Sequence, residues 1–275
     1  MFSNQRAAAQ WTIVEPGRPH IVVDHVWKEH GGKPVLRDVN ASFLAGQIAV
    51  VVGGSGAGKT TLLKILAGLD RPTSGRVVIG GTEITALPED ELNAVRKHIG
   101  MVFQYSALLD SMSVFDNVAF PLREHTQLSA DEIEDKVRRE LTGLGLADAI
   151  QKFPAELSGG MSKRVALARA LILEPEIVMY DEPTSGLDPI MARAVDHLIL
   201  ETRDRLGVTS VVISHDMAAA LRIADRIHLL DRGVLVASGT PREVLQSESV
   251  HQFFQSSGVD ARRLLAEHDA GVPLG

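Results

Sequence analysis

Eight consecutive residues, Gly53-Gly54-Ser55-Gly56-Ala57-Gly58-Lys59-Thr60, constrain this chain more than any other stretch, because the pattern G-x-x-x-x-G-K-[ST] works only between a strand and a helix. Both flanks are present. The apolar run Ile48 to Val52 leads in, and Thr61-Leu62-Leu63-Lys64-Ile65-Leu66-Ala67 follows as good helix formers that stop at Gly68. The glycines let successive backbone N–H groups curl round an anion without Cβ clashes. A helix N-terminus adds unpaired donors and partial positive charge. The stretch therefore reads as a phosphate site made of Gly53, Gly54, Ser55, Gly56, Ala57, Gly58, Lys59 and Thr60, with Thr61 beside them. Lys59 is expected to reach the β- and γ-phosphates, and the Thr60 hydroxyl to ligate Mg2+.

The rest of the composition suits a globular α/β protein: 275 residues with 45% hydrophobic content can fill one large domain or two small ones. A formal charge of -7 gives no basic field, so nucleic acid is not an expected partner. The absence of cysteine excludes disulfides and thiolate chemistry, with cytosol the default compartment. The longest apolar runs are about five residues, far short of the roughly 18 that a spanning helix requires. Gln10, Thr12 and Glu15 interrupt any signal-peptide core in residues 1–18, which read as a loose lead-in.

In chain order, Ile21 to Val26 and Val35 to Phe43, separated by Gly31-Gly32, predict paired antiparallel strands. Val77-Val78-Ile79 before Gly80-Gly81 predicts a hairpin, and Leu87 to Lys97, with Pro88 and three early acids, a short helix. Met101-Val102-Phe103 predicts a strand ending in Gln104, whose amide is suited to orienting water or joining a metal shell and equally to polar surface. From Tyr105 the patterning turns helical, with Ser129 and Glu132 in capping-box spacing. Leu157-Ser158-Gly159-Gly160-Met161 then opens another helix, whose Ser158 and following N–H groups make either an ordinary cap or a second anion site.

Ile177 to Tyr180 predicts a buried strand ending in Asp181-Glu182 and stopped by Pro183. Paired strand-end acids serve as surface charge or divide two tasks, Asp181 on the metal and Glu182 as proton acceptor for an attacking water. Asp188 as N-cap, Pro189 at the first position and Gly207 past the end predict a long helix. Val208 to Ile213 is the next strand, with Ser214-His215-Asp216 at its end; His215 is either structural or a γ-phosphate contact.

This ordered set resembles the ATPase subunit of ATP-binding cassette (ABC) transporters over about residues 21–246. The resemblance implies an α/β fold of P-loop type: a mixed parallel core sheet, an antiparallel β subdomain and a helical subdomain over about 105–172. The nucleotide-binding domain would span 19–255, followed by a C-terminal extension, 256–275, proposed to touch a neighbouring chain or regulator. It implies that Gly53 to Thr61 hold ATP, that Thr60, Gln104 and Asp181 serve Mg2+, and that Glu182, His215 and Gln104 act in hydrolysis. An aromatic near the first hairpin would stack on adenine, with Trp27 or His30 available; Trp27 equally suits packing against the sheet. Ser158, Gly159 and Gly160 would close over the nucleotide of a second copy packed head to tail.

Met161 stands where many family members have Gln. Leu157-Ser158-Gly159-Gly160-Met161 and Phe115 to Thr126 resemble the Mla phospholipid-transport branch, of toluene-tolerance type and linked to mammalian-cell-entry (Mce) lipid importers. That branch implies an integral-membrane permease docked near the helical insert, a periplasmic Mce-type lipid-binding protein and, in some members, a STAS-type regulator. The chain would then lie peripherally on the cytoplasmic face of the inner membrane. ATP-gated clamps of DNA repair or translation share the motifs, but their long coiled-coil insertion or second cassette is missing here.

Overall fold

The computed structural model describes residues 11–248 and 250. In order the elements are β1 (Pro19–His30), β2 (Lys33–Leu44), β3 (Ile48–Val52), α1 (Lys59–Leu66), β4 (Ser74–Ile79), β5 (Thr82–Glu83), α2 (Glu89–Arg96), β6 (Ile99–Val102), α3 (Val114–His125) and α4 (Ala130–Gly143). Two 3-10 turns lead to α5 (Gly159–Leu171), β7 (Ile177–Asp181), α6 (Pro189–Leu206), β8 (Thr209–Ser214), α7 (Met217–Ile223), β9 (Arg226–Asp231), β10 (Val234–Gly239) and α8 (Pro241–Gln246). No helix among the described residues is long and apolar enough to cross a membrane.

Six strands form the central sheet in the order β10-β9-β3-β8-β7-β6, and four form an antiparallel sheet in the order β2-β1-β4-β5. β3 shows why the central sheet is a two-faced core. All five of its residues are buried. Ile48, Val50 and Val52 join the cluster under α3, α5, α6 and α7, whereas Ala49 and Val51 join the cluster shared with α1 and the antiparallel sheet. A strand with helices or another sheet on both faces must be apolar at every position, which erases the usual alternation.

Local signals set most boundaries as expected. Ser129 and Glu132 form both halves of the capping box at α4. Asp188 accepts from the N–H groups of Ile190 and Met191, and Gly207 ends α6 in the left-handed region. Two readings are corrected. β6 begins at Ile99 and ends at Val102, so Gln104 lies two residues beyond the strand, in the turn that follows. Residues 11–18 are not a loose lead-in: Trp11 stacks on His98 at 4.1 Å and donates to Glu176 Oε1 at 2.5 Å, while Gly17 N–H donates to Ala45 O at 2.9 Å. An indole beside an imidazole and a carboxylate anchors this segment, and nothing in its periodicity announced the partner. The extension 256–275 lies outside the described residues.

Candidate nucleotide site

Parallel register brings the site together. Val52 of β3 pairs with Ser214 of β8, and Ile213 of β8 pairs with Asp181 of β7, so three strands end side by side. The residues just past those ends are Gly53, His215 and Glu182, and the carboxyl ends of parallel strands are where open α/β sheets hold ligands. The loop from Gly53 to Gly58 then turns into α1, whose first residues are Lys59, Thr60 and Thr61. Gly58, at φ 102, adopts a conformation closed to L side chains, and a Cβ there would lie 2.9 Å from Val35 O.

Within the loop Lys59 is nearly buried and its Nζ donates to Gly53 O at 2.8 Å and Gly54 O at 3.1 Å. The same ammonium lies 3.5 Å from Glu182 Oε1, while His215 Nδ1 donates to Glu182 Oε2 at 2.6 Å. Thr60 Oγ1 makes a long 3.4 Å contact with Asp181 Oδ1. Burial raises the Asp181 carboxyl above the usual carboxylate range, the Thr60 hydroxyl opposes that, and the Glu182 charge adds to it. Glu182 sits at φ 48, a left-handed conformation that costs a non-glycine residue of order 1–3 kcal/mol. Its N–H bond to Ile213 O and the Ser185 N–H bond to its own carbonyl hold it there.

Gln104 joins this group at one remove. Its Nε2 donates to Ser185 Oγ at 3.2 Å, and Ser185 N–H donates to Glu182 O at 3.1 Å. Ser158, Gly159 and Gly160 belong to another neighbourhood: Ser158 Oγ caps α5 by accepting from Met161 N–H, and Gly160 packs beneath the Met191 methyl. Trp27 on β1 is 40% exposed and pairs in register with Ser74 of β4, while His30 at the hairpin tip places Nε2 3.9 Å from Asp70.

Several supporting residues escaped the sequence reading. Leu230 O lies under Gly53, and Gly233 N–H donates to Ala57 O, so the β9–β10 hairpin backs the loop. The turn residues Asp231-Arg232-Gly233 carried a hairpin signal, but not its destination. Lys163 donates to the main-chain O of Gln104. Its signal was a lysine on the buried stripe Gly160, Lys163, Leu167, Leu171 of α5, where helical spacing calls for an apolar residue.

The geometry is that of a phosphate-binding loop facing a carboxylate and an imidazole, and comparison with known proteins agrees. The ABC transporter family model matches residues 36–185. The "Intermembrane phospholipid transport system ATP-binding protein MlaF" of Haemophilus influenzae is 41% identical over 230 residues, covering 84% of this chain and 87% of that one. The "Probable ribonucleotide transport ATP-binding protein mkl" of Mycobacterium tuberculosis is 40% identical over 252 residues, covering 90% of this chain and 70% of that one. Among solved structures, a dimeric ATP-binding cassette in a post-hydrolysis state with ADP and Pi superposes with a TM-score of 0.73 at 31% identity, covering 80% of this chain and 98% of that one. A match of this extent to both sequence and fold means that the chain belongs to the ABC transporter family, as one of its ATP-binding and ATP-hydrolysing subunits.

Proposed function

We propose that the chain is the ATPase of a transporter moving phospholipid, or a related lipid, across the bacterial envelope, and that it works as a head-to-tail dimer on a membrane permease. The observation that carries the catalytic part is the contact chain from Lys59 through Glu182 to His215, beside Thr60 and Asp181. The lipid part rests on the relative named for phospholipid transport and on the Met161-containing motif. A relative of almost equal identity is named for ribonucleotide transport, which favours a different solute as the second reading. Cargo contacts belong to other subunits, so similarity in the ATPase constrains cargo weakly.

In this reading residues 53–61 cradle the phosphates of ATP. Lys59 exchanges two neutral carbonyls for charged phosphate oxygens, a stronger pairing in a partly buried site. That exchange releases Oε1 of Glu182 to accept a proton from water, with Oε2 still held by His215. With both ring nitrogens protonated, His215 would donate its second N–H to the γ-phosphate while Nδ1–H stays on Glu182. Thr60, Asp181 and Gln104 suit Mg2+. No cluster of three or more His, Asp or Glu among the described residues makes a ready-made cage, and one hydroxyl beside one carboxylate fits an ion held largely by phosphate and water. Held by Thr60, Asp181 and Gln104, Mg2+ would supply positive charge to offset the negative charge of the phosphates.

Ser158, Gly159 and Gly160 donate to the nucleotide held by the second copy. An apolar groove of about 460 Å³, lined by Phe103, Leu109, Phe120, Pro121 and Leu173 where α3 meets the turn after β6, supports permease docking beside the helical insert. That contact would hold the chain on the cytoplasmic face of the inner membrane. A periplasmic Mce-type lipid-binding protein and, in some assemblies, a STAS-type regulator bound to the ATPase complete the complex; the 256–275 extension is proposed to reach that regulator or the second copy.

The test uses Glu182→Gln, which keeps the ATP contacts and removes the proton acceptor, so kcat should fall by about 10^2 to 10^4. Near-normal phosphate release would reject the role. The same variant, tagged in its native cell and trapped with ATP, should co-purify with a permease, a Mce-type lipid binder and enriched phospholipid. A permease carrying another solute would retain the ATPase and discard the lipid.

A further inference from the structure

We propose that Lys163 is a positioning residue for Gln104, tying the turn at Ser158 to the nucleotide site through a single helix. The inference rests on the role given to Gln104 above. Lys163 is 9% exposed on the core-facing stripe of α5, and its Nζ donates to the Gln104 carbonyl. Among the described residues no carboxylate pairs with it, and burial alone lowers its pKa. A buried cation without a counter-ion is costly, and a methionine of similar volume would fill the position more cheaply. Packing therefore does not account for a lysine there.

Two turns further along α5, Arg169 donates to Ala107 O at 2.7 Å and to Ser106 O at 2.9 Å. Ser106 and Ala107 have φ of 63 and 46, left-handed values that these residue types adopt only when held. One helix thus grips the 104–107 turn at both ends with two cations, and that helix begins at Ser158. From Gln104 the contacts continue through Ser185 to the backbone of Glu182. Any displacement of the Ser158 turn is passed by a rigid helix to the Gln104 backbone, and Lys163 is the point of attachment.

The experiment measures ATP hydrolysis by the full chain against ATP and Mg2+ concentration for Lys163→Met, Lys163→Arg, Gln104→Ala and the Lys163→Met/Gln104→Ala pair. Lys163→Met should lower kcat by about tenfold and raise the Mg2+ needed for half-maximal rate, with KM for ATP within about twofold. Lys163→Arg, which keeps charge and reach, should restore most of the rate. The double variant should be no worse than Gln104→Ala, because both act at one residue. Wild-type kcat and Mg2+ dependence in Lys163→Met, or additive losses, would overturn the inference while an impaired Gln104→Ala left the proposed site standing. An unimpaired Gln104→Ala would instead remove the role of Gln104 and the inference with it. Should Lys163→Met not fold, Lys163→Gln replaces it, and equal kcat for Lys163→Gln and Lys163→Arg overturns the proposal.

Discussion

Two glycine-lined helix starts, one at Gly53 to Thr60 and one at Ser158 to Gly160, look alike as sequence and differ in how the molecule holds them. The first is fixed from every side: Gly53 rests on Leu230 O, Ala57 O accepts from Gly233 N–H, and Lys59 folds onto the loop's own carbonyls. The second caps only its own helix, and its nearest overhead neighbour is the flexible Met191 side chain. A preformed cradle can bind its ligand alone, whereas a turn held on one side needs a second surface. In the proposed head-to-tail pairing, this difference would let one chain supply the cradle of one site and the closing turn of the other.

The strongest way to break this contrast is to separate the halves. Lys59→Ala and Ser158→Arg should each abolish ATP hydrolysis alone. Mixed in equal amounts and allowed to exchange, half of the dimers pair one variant with the other and carry one site made of two unmutated halves. About a quarter of wild-type activity should therefore return in a phosphate-release assay. No recovery would mean that Ser158 serves the nucleotide of its own chain.

The support under the phosphate loop can be weakened by acid. His228 on β9, in register with Val51 of β3, is buried, and burial followed by the nearby Arg226 charge pushes its pKa from 6.5 down to about 4. Between those values the unfolded chain binds more protons than the folded one. Stability should be complete above about pH 6.5 and fall as the pH approaches 4, by on the order of 3 kcal/mol. Urea denaturation at stepped pH should show this fall and its flattening in His228→Leu; an unchanged slope in the variant would assign the acid sensitivity elsewhere.

A finer test compares two glycines. A Cβ at Gly53 would meet the Leu230 carbonyl at 2.2 Å, a fixed backbone atom, whereas one at Gly160 would meet the Met191 methyl at 2.0 Å, the end of a flexible side chain. Gly53→Ala should lose about 1–3 kcal/mol in urea denaturation. Gly160→Ala should stay within about 0.5 kcal/mol. Equal losses would show the second turn to be as rigidly held as the first.

Where the sequence carried a local cause, the structure followed it. The capping box at Ser129, the Asp188, Pro189 and Gly207 signals of α6 and the flanks of the phosphate loop depend on backbone groups a few residues apart. Where the cause was distant, the sequence was silent. Trp11 finds His98 and Glu176, Gly53 finds Leu230, and Lys163 finds Gln104 across 59 residues.

The chain alone determined which groups are available: an anion-binding loop, two strand-end acids, a strand-end imidazole and a second capped turn. Only the tertiary structure decided their grouping. The parallel register of β3, β8 and β7 put Lys59, Glu182 and His215 in contact and sent Ser158 elsewhere. Composition and periodicity act over a turn of helix or a few residues of strand, but strand order and register follow from how all the apolar faces are buried at once.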